Sequence, residues 1–273
     1  MQLVDIGANL SHSSFHDDVD AVVARARAAG VATVIVTGTT VLESRLAAEI
    51  ADRYDLYCTV GVHPHHARDC DERTIAEVRH LSVHPRCVAI GECGLDFNRN
   101  YSPHPDQEKW FVAQLELGLE LGKPLFLHSR DAHPRFAQVL RTHHVKHAVA
   151  HCFTGEKDEL HAYLDLGLYI GITGWICDER RGQHLLTLVR DIPSDRLLLE
   201  TDSPYLTPRD MRPQPKARRN EPTFLPHILK TVARALGRPA DELATETTRN
   251  AERLFGIRHE SRAPVNSQRA ASA

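Results

Sequence analysis

Residues of metal-binding type directly follow four short apolar runs of the chain. Glu92 comes after residues 87–90 and one glycine, and His128 after Leu125-Phe126-Leu127. His151 follows Ala148-Val149-Ala150, and Glu200-Thr201-Asp202 follows Leu197-Leu198-Leu199. A fifth run, 56–60, leads into Gly61-Val62-His63-Pro64-His65-His66. Short apolar runs that stop at glycine or a polar residue read as buried strands ending in a turn. The chain has 18 histidines, so no single one carries much weight, but the joint pattern does. Two imidazoles and two carboxylates around one axis would make a cage for a divalent ion such as zinc, manganese or magnesium. Such an ion neutralises phosphodiester charge and brings the pKa of bound water toward neutrality. Glu200 or Asp202 could then take the water proton. Their spacing of two on a strand would turn both to one side.

These groups meet only if the fold brings the strand ends together. Strands are expected at 3–6, 33–36, 56–60, 87–90, 124–127, 148–150, 168–172 and 197–200. Helical spacing separates them: Val19, Val22, Val23 and Ala26; the stretch 41–53; Ile75, Val78 and Leu81; Phe111, Leu115 and Leu119; Phe136, Val139 and Leu140; Leu160, Tyr163 and Leu164; and 185–189. Eight β runs alternating with helices imply parallel strands. Eight units in about 200 residues fit a closed (β/α)₈ TIM barrel. The rival is a doubly wound sheet, but no Gly-x-Gly-x-x-Gly follows the first strand. A long loop, 203–220, follows the last strand. Beyond it come an amphipathic helix (Leu225, Ile228, Leu229, Val232, Leu236) and a last helix from Pro239 to near Gly256. One α/β domain over 1–258 is therefore expected, with extra C-terminal helices and a disordered polar tail at 259–273.

The chain of 273 residues is 42% hydrophobic and 25% charged, a globular composition, and its net charge of −3 gives no general nucleic-acid signal. Any such contact must be local. The loop after the eighth strand supplies a candidate: Arg209, Arg212, Lys216, Arg218 and Arg219 against one acid, Asp210. Arg130 could hold a phosphate through two parallel hydrogen bonds. Trp175 and Tyr205, just beyond strands seven and eight, could stack on bases of any sequence. The six cysteines form no C-x-x-C pair. Together with an N-terminus lacking signal-peptide character, they point to a reduced, cytoplasmic protein. No apolar run is long enough to cross a bilayer.

Four stretches carry a resemblance. Gly91-Glu92-Cys93-Gly94-Leu95-Asp96, Leu127-His128-Ser129-Arg130-Asp131-Ala132, His151-Cys152-Phe153-Thr154-Gly155 and Leu199-Glu200-Thr201-Asp202-Ser203-Pro204-Tyr205 resemble the signature segments of the TatD family. These are metal-dependent deoxyribonucleases with amidohydrolase-type barrels, and the similarity runs from Asp5 to Gly256. It implies Glu92, His128, His151 and Asp202 as metal ligands, with His63 and His65 at the substrate phosphate. Glu92, Glu200 and Asp202 are then the candidate catalytic carboxylates. The activity implied is 3′→5′ exonucleolytic cleavage of single-stranded DNA, with RNA as a further substrate.

One departure stands out. Most of the family opens with Asp-x-His-x-His, whereas here Gly7 and Asn9 hold the histidine positions after Asp5. Asn9 can still offer a carbonyl oxygen to a hard cation or to substrate. At most one tightly held ion is therefore expected before substrate arrives, with Mg²⁺ preferred over Mn²⁺ or Zn²⁺. Restoring the pair by Gly7→His with Asn9→His is expected to add a second tight site if the bulk is tolerated. A monomer without an obligate protein partner is expected. Two other readings remain: another hydrolase of this barrel type, such as an esterase, amidase or aminoacyl-tRNA deacylase, and a DNA-binding scaffold without catalysis.

Overall fold

Aliphatic and β-branched runs, buried on both faces, form the strands. In a computed structural model describing residues 2–215 and 218–257, they are β1 Leu3–Ala8, β2 Val31–Val36, β3 Tyr57–Val60, β4 Cys87–Asp96, β5 Leu125–Arg130, β6 Ala148–Ala150, β7 Tyr169–Ile172 and β8 Leu197–Leu199. Each pairs in parallel with the next in chain order. An Ala8–Ser203 bridge brings β1 to the chain after β8. Two backbone hydrogen bonds reinforce it, from Asn9 to Ser203 at 2.7 Å and from Asp202 to Gly7 at 2.9 Å. The strands thus form the expected (β/α)₈ barrel.

The helices are α1 Val19–Ala28, α2 Val41–Tyr54, α3 Thr74–Ser82, α4 His104–Leu121, α5 His133–Thr142, α6 Lys157–Asp165, the single turn α7 Leu185–Leu188, α8 Leu225–Leu236 and α9 Ala240–Phe255. Apolar residues between sheet and helices form the larger core. A second cluster fills the barrel itself with Val4, Ile6, Ile35, Ala89, Phe126, Val149 and Leu198, and includes Leu254 and Phe255 of α9. Thr248 of α9 bonds the Gln2 carbonyl, and Asn250 bonds the Ser194 and Leu197 carbonyls. These contacts seat α9 across the N-terminal end of the strands. The C-terminal end is left for the loops.

Two expectations change. The fourth strand does not stop at Gly91 but runs on to Asp96. Its glycines sit at φ of +143° and +149°, and a Cβ at Gly91 or Gly94 would stand 2.2 Å from the Phe126 carbonyl or 1.9 Å from that of His128. Glycine here marks an irregular strand pressed against β5, with a register shift between Ile90 and Cys93. Leu119 is exposed, while Phe111, Leu115 and Gly118 of α4 are buried. Eight residues carry a helix about 80° past its starting face, so Leu119 drifts off the stripe that Phe111 begins.

No helix among the described residues is long and apolar enough to cross a membrane. The tail at 259–273 lies outside the described residues.

Candidate active site

The ends of β3 to β8 deliver their polar residues into one cleft of about 510 Å³. Its walls include Asn9, His63, His65, Glu92, His128, Arg130, His151, Trp175, Asp202 and Tyr205. Glu200 is the one candidate that does not line it. β8 ends at Leu199, and Asp202 adopts φ of 55°, so the chain turns and the two acids part.

At the centre lies one oxygen of Glu92. Its Oε1 is 2.8 Å from His128 Nδ1, 2.8 Å from His151 Nε2 and 3.3 Å from His63 Nε2. Burial acts to raise the Glu92 carboxyl, but His151, His63 and hydrogen bonds from His128 and His151 outweigh it and hold it well below the usual range. Against burial, Glu92 and Glu200 hold His151 well above its ordinary value, and Asp96 and Glu92 raise His128. His63 moves the other way, down to about 4, chiefly through burial.

The imidazoles differ in which nitrogen is free. His63 caps the 3₁₀ turn Pro64–Asp69, its Nδ1 accepting the His65 amide at 3.1 Å. In the neutral ring this leaves the proton on Nε2, so His63 faces the cleft as a donor. His151 has Nδ1 at 3.1 Å from Glu200 Oε2, and Glu200 Oε1 accepts the Cys152 amide at 2.6 Å. A carboxylate behind one nitrogen, with the other aimed into the site, is the usual arrangement of a metal-binding histidine. His128 Nε2 is buried without a hydrogen-bond partner; Asp96 Oδ2 lies 3.4 Å away but is poorly aligned. Ligand atoms from His63, Glu92 and His128 lie within 4.8 Å of one another. The tautomer of His63 favours His151 as the second nitrogen ligand beside His128. A donor set of imidazole and carboxylate, crowded on one oxygen and with an orphaned ring nitrogen, fits a divalent cation.

Asp202 shares its Oδ1 with the Asn9 amide at 3.3 Å. Burial, reinforced by the Glu92 and Glu200 charges and opposed by His151, pushes its carboxyl up to about 7. The Glu200-Thr201-Asp202 turn is pinned from behind by Asp5, which accepts the Thr201 amide at 2.9 Å and its hydroxyl at 2.6 Å. Asp5 is fully buried, which pushes its own carboxyl up to about 8. The sequence reading gave no role to Asp5 or to Asp96. Asp96 accepts from His65 Nε2 at 2.7 Å and stands beside His128. The continuation of β4 past its glycines was the missing signal for Asp96.

Gly7 shows why its histidine is absent. A Cβ there would stand 2.6 Å from Glu200 Oε2 and 2.9 Å from Phe126 Cζ. The bulk of histidine at position 7 is therefore not accommodated while Glu200 holds His151.

At the rim, Trp175 lies between Arg130 at 4.9 Å and Arg181 at 4.2 Å from its ring centre. Its indole Nε1 is buried and unpartnered. Tyr205 is half exposed beside His12. The basic loop is less free than its composition suggests. Arg219 pairs with Asp18 and Glu221 at 2.7 Å each, and Arg209 lies 3.7 Å from Asp178 and 3.5 Å from Glu179. Arg218 is exposed, and Lys216 lies outside the described residues.

Comparison with known proteins agrees with this geometry. The family described as TatD related DNase matches residues 4–256. The "3′-5′ ssDNA/RNA exonuclease TatD" of Erwinia tasmaniensis is 54% identical over 259 residues, covering 93% of this chain and 100% of that protein. The protein of the same name from Erwinia amylovora is 55% identical with the same coverage. Among solved structures, YjjV, a TatD homolog from Escherichia coli K12, superposes with TM-score 0.86 at 27% identity over 94% of this chain and 98% of its own. A hydrolase TatD family protein from Entamoeba histolytica gives 0.83 at 26% identity, covering 93% and 98%. With its barrel, its His/Glu cluster and these relatives, the chain belongs to the TatD-related DNase family of metal-dependent hydrolases.

Proposed function

We propose that the chain is a metal-dependent 3′→5′ exonuclease that hydrolyses phosphodiester bonds of single-stranded DNA, and of RNA. The observation that carries this reading is the convergence of three imidazoles on Glu92 Oε1, with His128 Nε2 orphaned beside them. Glu92, His128, His151 and Asp202 would hold the ion, and Mg²⁺ is our choice, ahead of Mn²⁺ and Zn²⁺. When bound, it supplies charge neutralisation at the phosphate and a more acidic water.

The chain's own residues do the rest. Glu200 orients His151 from below and keeps its tautomer. Asp202 faces the cleft among these ligands, where an ionised carboxylate can take a proton from water. His63, with its proton on Nε2, would donate to a phosphate oxygen, His65, its Nε2 held by Asp96, would lie against the substrate beside it, and Arg130 would add a charged clamp. Trp175 and Tyr205 would stack on bases without reading sequence. The family and these relatives support a nucleic-acid substrate over a small neutral ester. Six free cysteines support a cytoplasmic setting, and we take the enzyme as a monomer.

The test is an exonuclease assay on single-stranded DNA labelled at either end, with Mg²⁺ and with chelator. Metal-dependent loss of nucleotides from the 3′ end is expected. Digestion that survives exhaustive chelation would overturn the mechanism, and DNA binding without digestion would favour the scaffold reading.

A further inference from the structure

A second group of metal-type side chains lies outside the cleft. Cys177 ends the 3₁₀ turn Gly174–Cys177 that carries Trp175; Asp210 sits in the loop after β8, and His227 in the first turns of α8. One ligand atom from each lies within 4.8 Å of the others. None of the three lines the catalytic cleft. His227 Nε2 already touches Asp210 Oδ1 at 2.7 Å. Around one tetrahedral zinc ion a sulfur and a nitrogen ligand stand about 3.6 Å apart, since Zn–S is about 2.3 Å and Zn–N about 2.1 Å. The three ligand atoms, all within 4.8 Å of one another, would have to draw together by about an ångström at most.

A second observation points the same way. Thr231 follows His227 by four residues and so shares its face of α8. Its hydroxyl is buried without a well-aligned hydrogen-bond partner, yet lies close enough to the Cys177 sulfur to act on that thiol. A neutral thiol is a weak acceptor, whereas a metal-bound thiolate would accept this hydroxyl, as sulfur ligands commonly accept from a neighbour. Burial pushes the free Cys177 thiol up to about 12, so binding must release its proton to solvent as the metal–sulfur bond forms.

We propose that Cys177, Asp210 and His227 form a second metal site for a zinc-class ion, with water as its fourth ligand, that ties the Trp175 turn and the loop after β8 to α8. Thiolate and imidazole select Zn²⁺ or Co²⁺ over Mg²⁺, so this site differs in metal class from our choice for the cleft. It does not depend on the nuclease reading.

The probe is Co²⁺ added anaerobically to reduced, chelator-stripped protein. Wild type should develop a thiolate-to-cobalt charge-transfer band in the near ultraviolet, saturating near one equivalent and removed by Zn²⁺. Cys177→Ser should abolish the band. His227→Ala, a change at a partly exposed side chain that leaves the core intact, should weaken the cobalt affinity read from it by about tenfold or more. No band in wild type, a band that survives Cys177→Ser, or an unchanged affinity in His227→Ala would each overturn the proposal. Should Cys177→Ser fail to fold, His227→Ala decides.

Discussion

At the N-terminal end of the barrel, Leu254 and Phe255 join an apolar cluster with Val4, Val88 and Tyr169, while at the C-terminal end Glu92, Glu200 and Asp202 crowd into the same closed space as three histidines. The lower end bonds its strand-end carbonyls through Thr248 and Asn250. The upper end leaves His128 Nε2, Trp175 Nε1 and Ser203 Oγ buried and unmatched. One end of a single sheet is thus built for stability, while the other holds like charges and orphaned groups that destabilise the empty fold and suit it to bind something.

This contrast can be broken most directly by one substitution at each end. Glu92→Ala should lower kcat by about a thousandfold or more, because the cation loses its central ligand and with it charge stabilisation at the phosphate. The chain should still fold, but the metal-free protein should melt somewhat lower, because His128 and His151 lose the carboxylate that pairs with both. Leu254→Ala should do the reverse: about 2–5 kcal/mol lost in denaturant unfolding, with kcat per folded molecule unchanged. If Glu92→Ala unfolds the chain or Leu254→Ala removes activity from the folded fraction, the two ends are not separable.

Asp5 sharpens the comparison, since it belongs to the support of the upper end. Its carboxyl is raised from 3.8 to about 8, so between those values the folded chain keeps a proton that the unfolded chain releases. Stability from this group is therefore fully present below pH 4 and lost as pH rises toward 8. Asp202, raised to about 7, acts in the same direction in the metal-free protein. Asp5→Asn should gain melting temperature relative to wild type as pH rises from 5 to 8, measured under chelation. Parallel curves would show that Asp5 is ionised in the folded state.

The smallest effect concerns the basic loop. Arg218→Ala should flatten the salt dependence of DNA binding by about one unit of slope or less. Arg219→Ala should leave that slope alone and lose about 1–3 kcal/mol of stability, since Asp18 and Glu221 lose their shared partner. Equal slope changes in both variants would return Arg219 to the binding surface.

The eight strands were legible because each is a short apolar run between turn-forming residues, and β6 at Ala148–Ala150 matches its expected bounds. The residues around the cleft were legible for the same reason: they follow those runs. Long-range packing was not. Nothing near Arg219 in sequence announces Asp18, 201 residues away. The spacing of Glu200 and Asp202 suggested one face, but the strand stops at Leu199, before both, and the backbone turns at Asp202. Glycines 91 and 94 looked like a stop because periodicity carries no information about a neighbouring backbone pressed against a strand.

Gly7 has a consequence for how such a site can change over time. The volume that a side chain at position 7 would need is occupied by the carboxylate that steadies His151. A single step from glycine to histidine would dislodge a support of the existing ion before offering a ligand for another. A route to the histidine pair therefore passes through a damaged intermediate unless Glu200 and Phe126 move first. Restoring the pair by mutation should weaken the present site instead of adding to it. The two metal arrangements are alternatives separated by a valley, and this chain stands on one side of it.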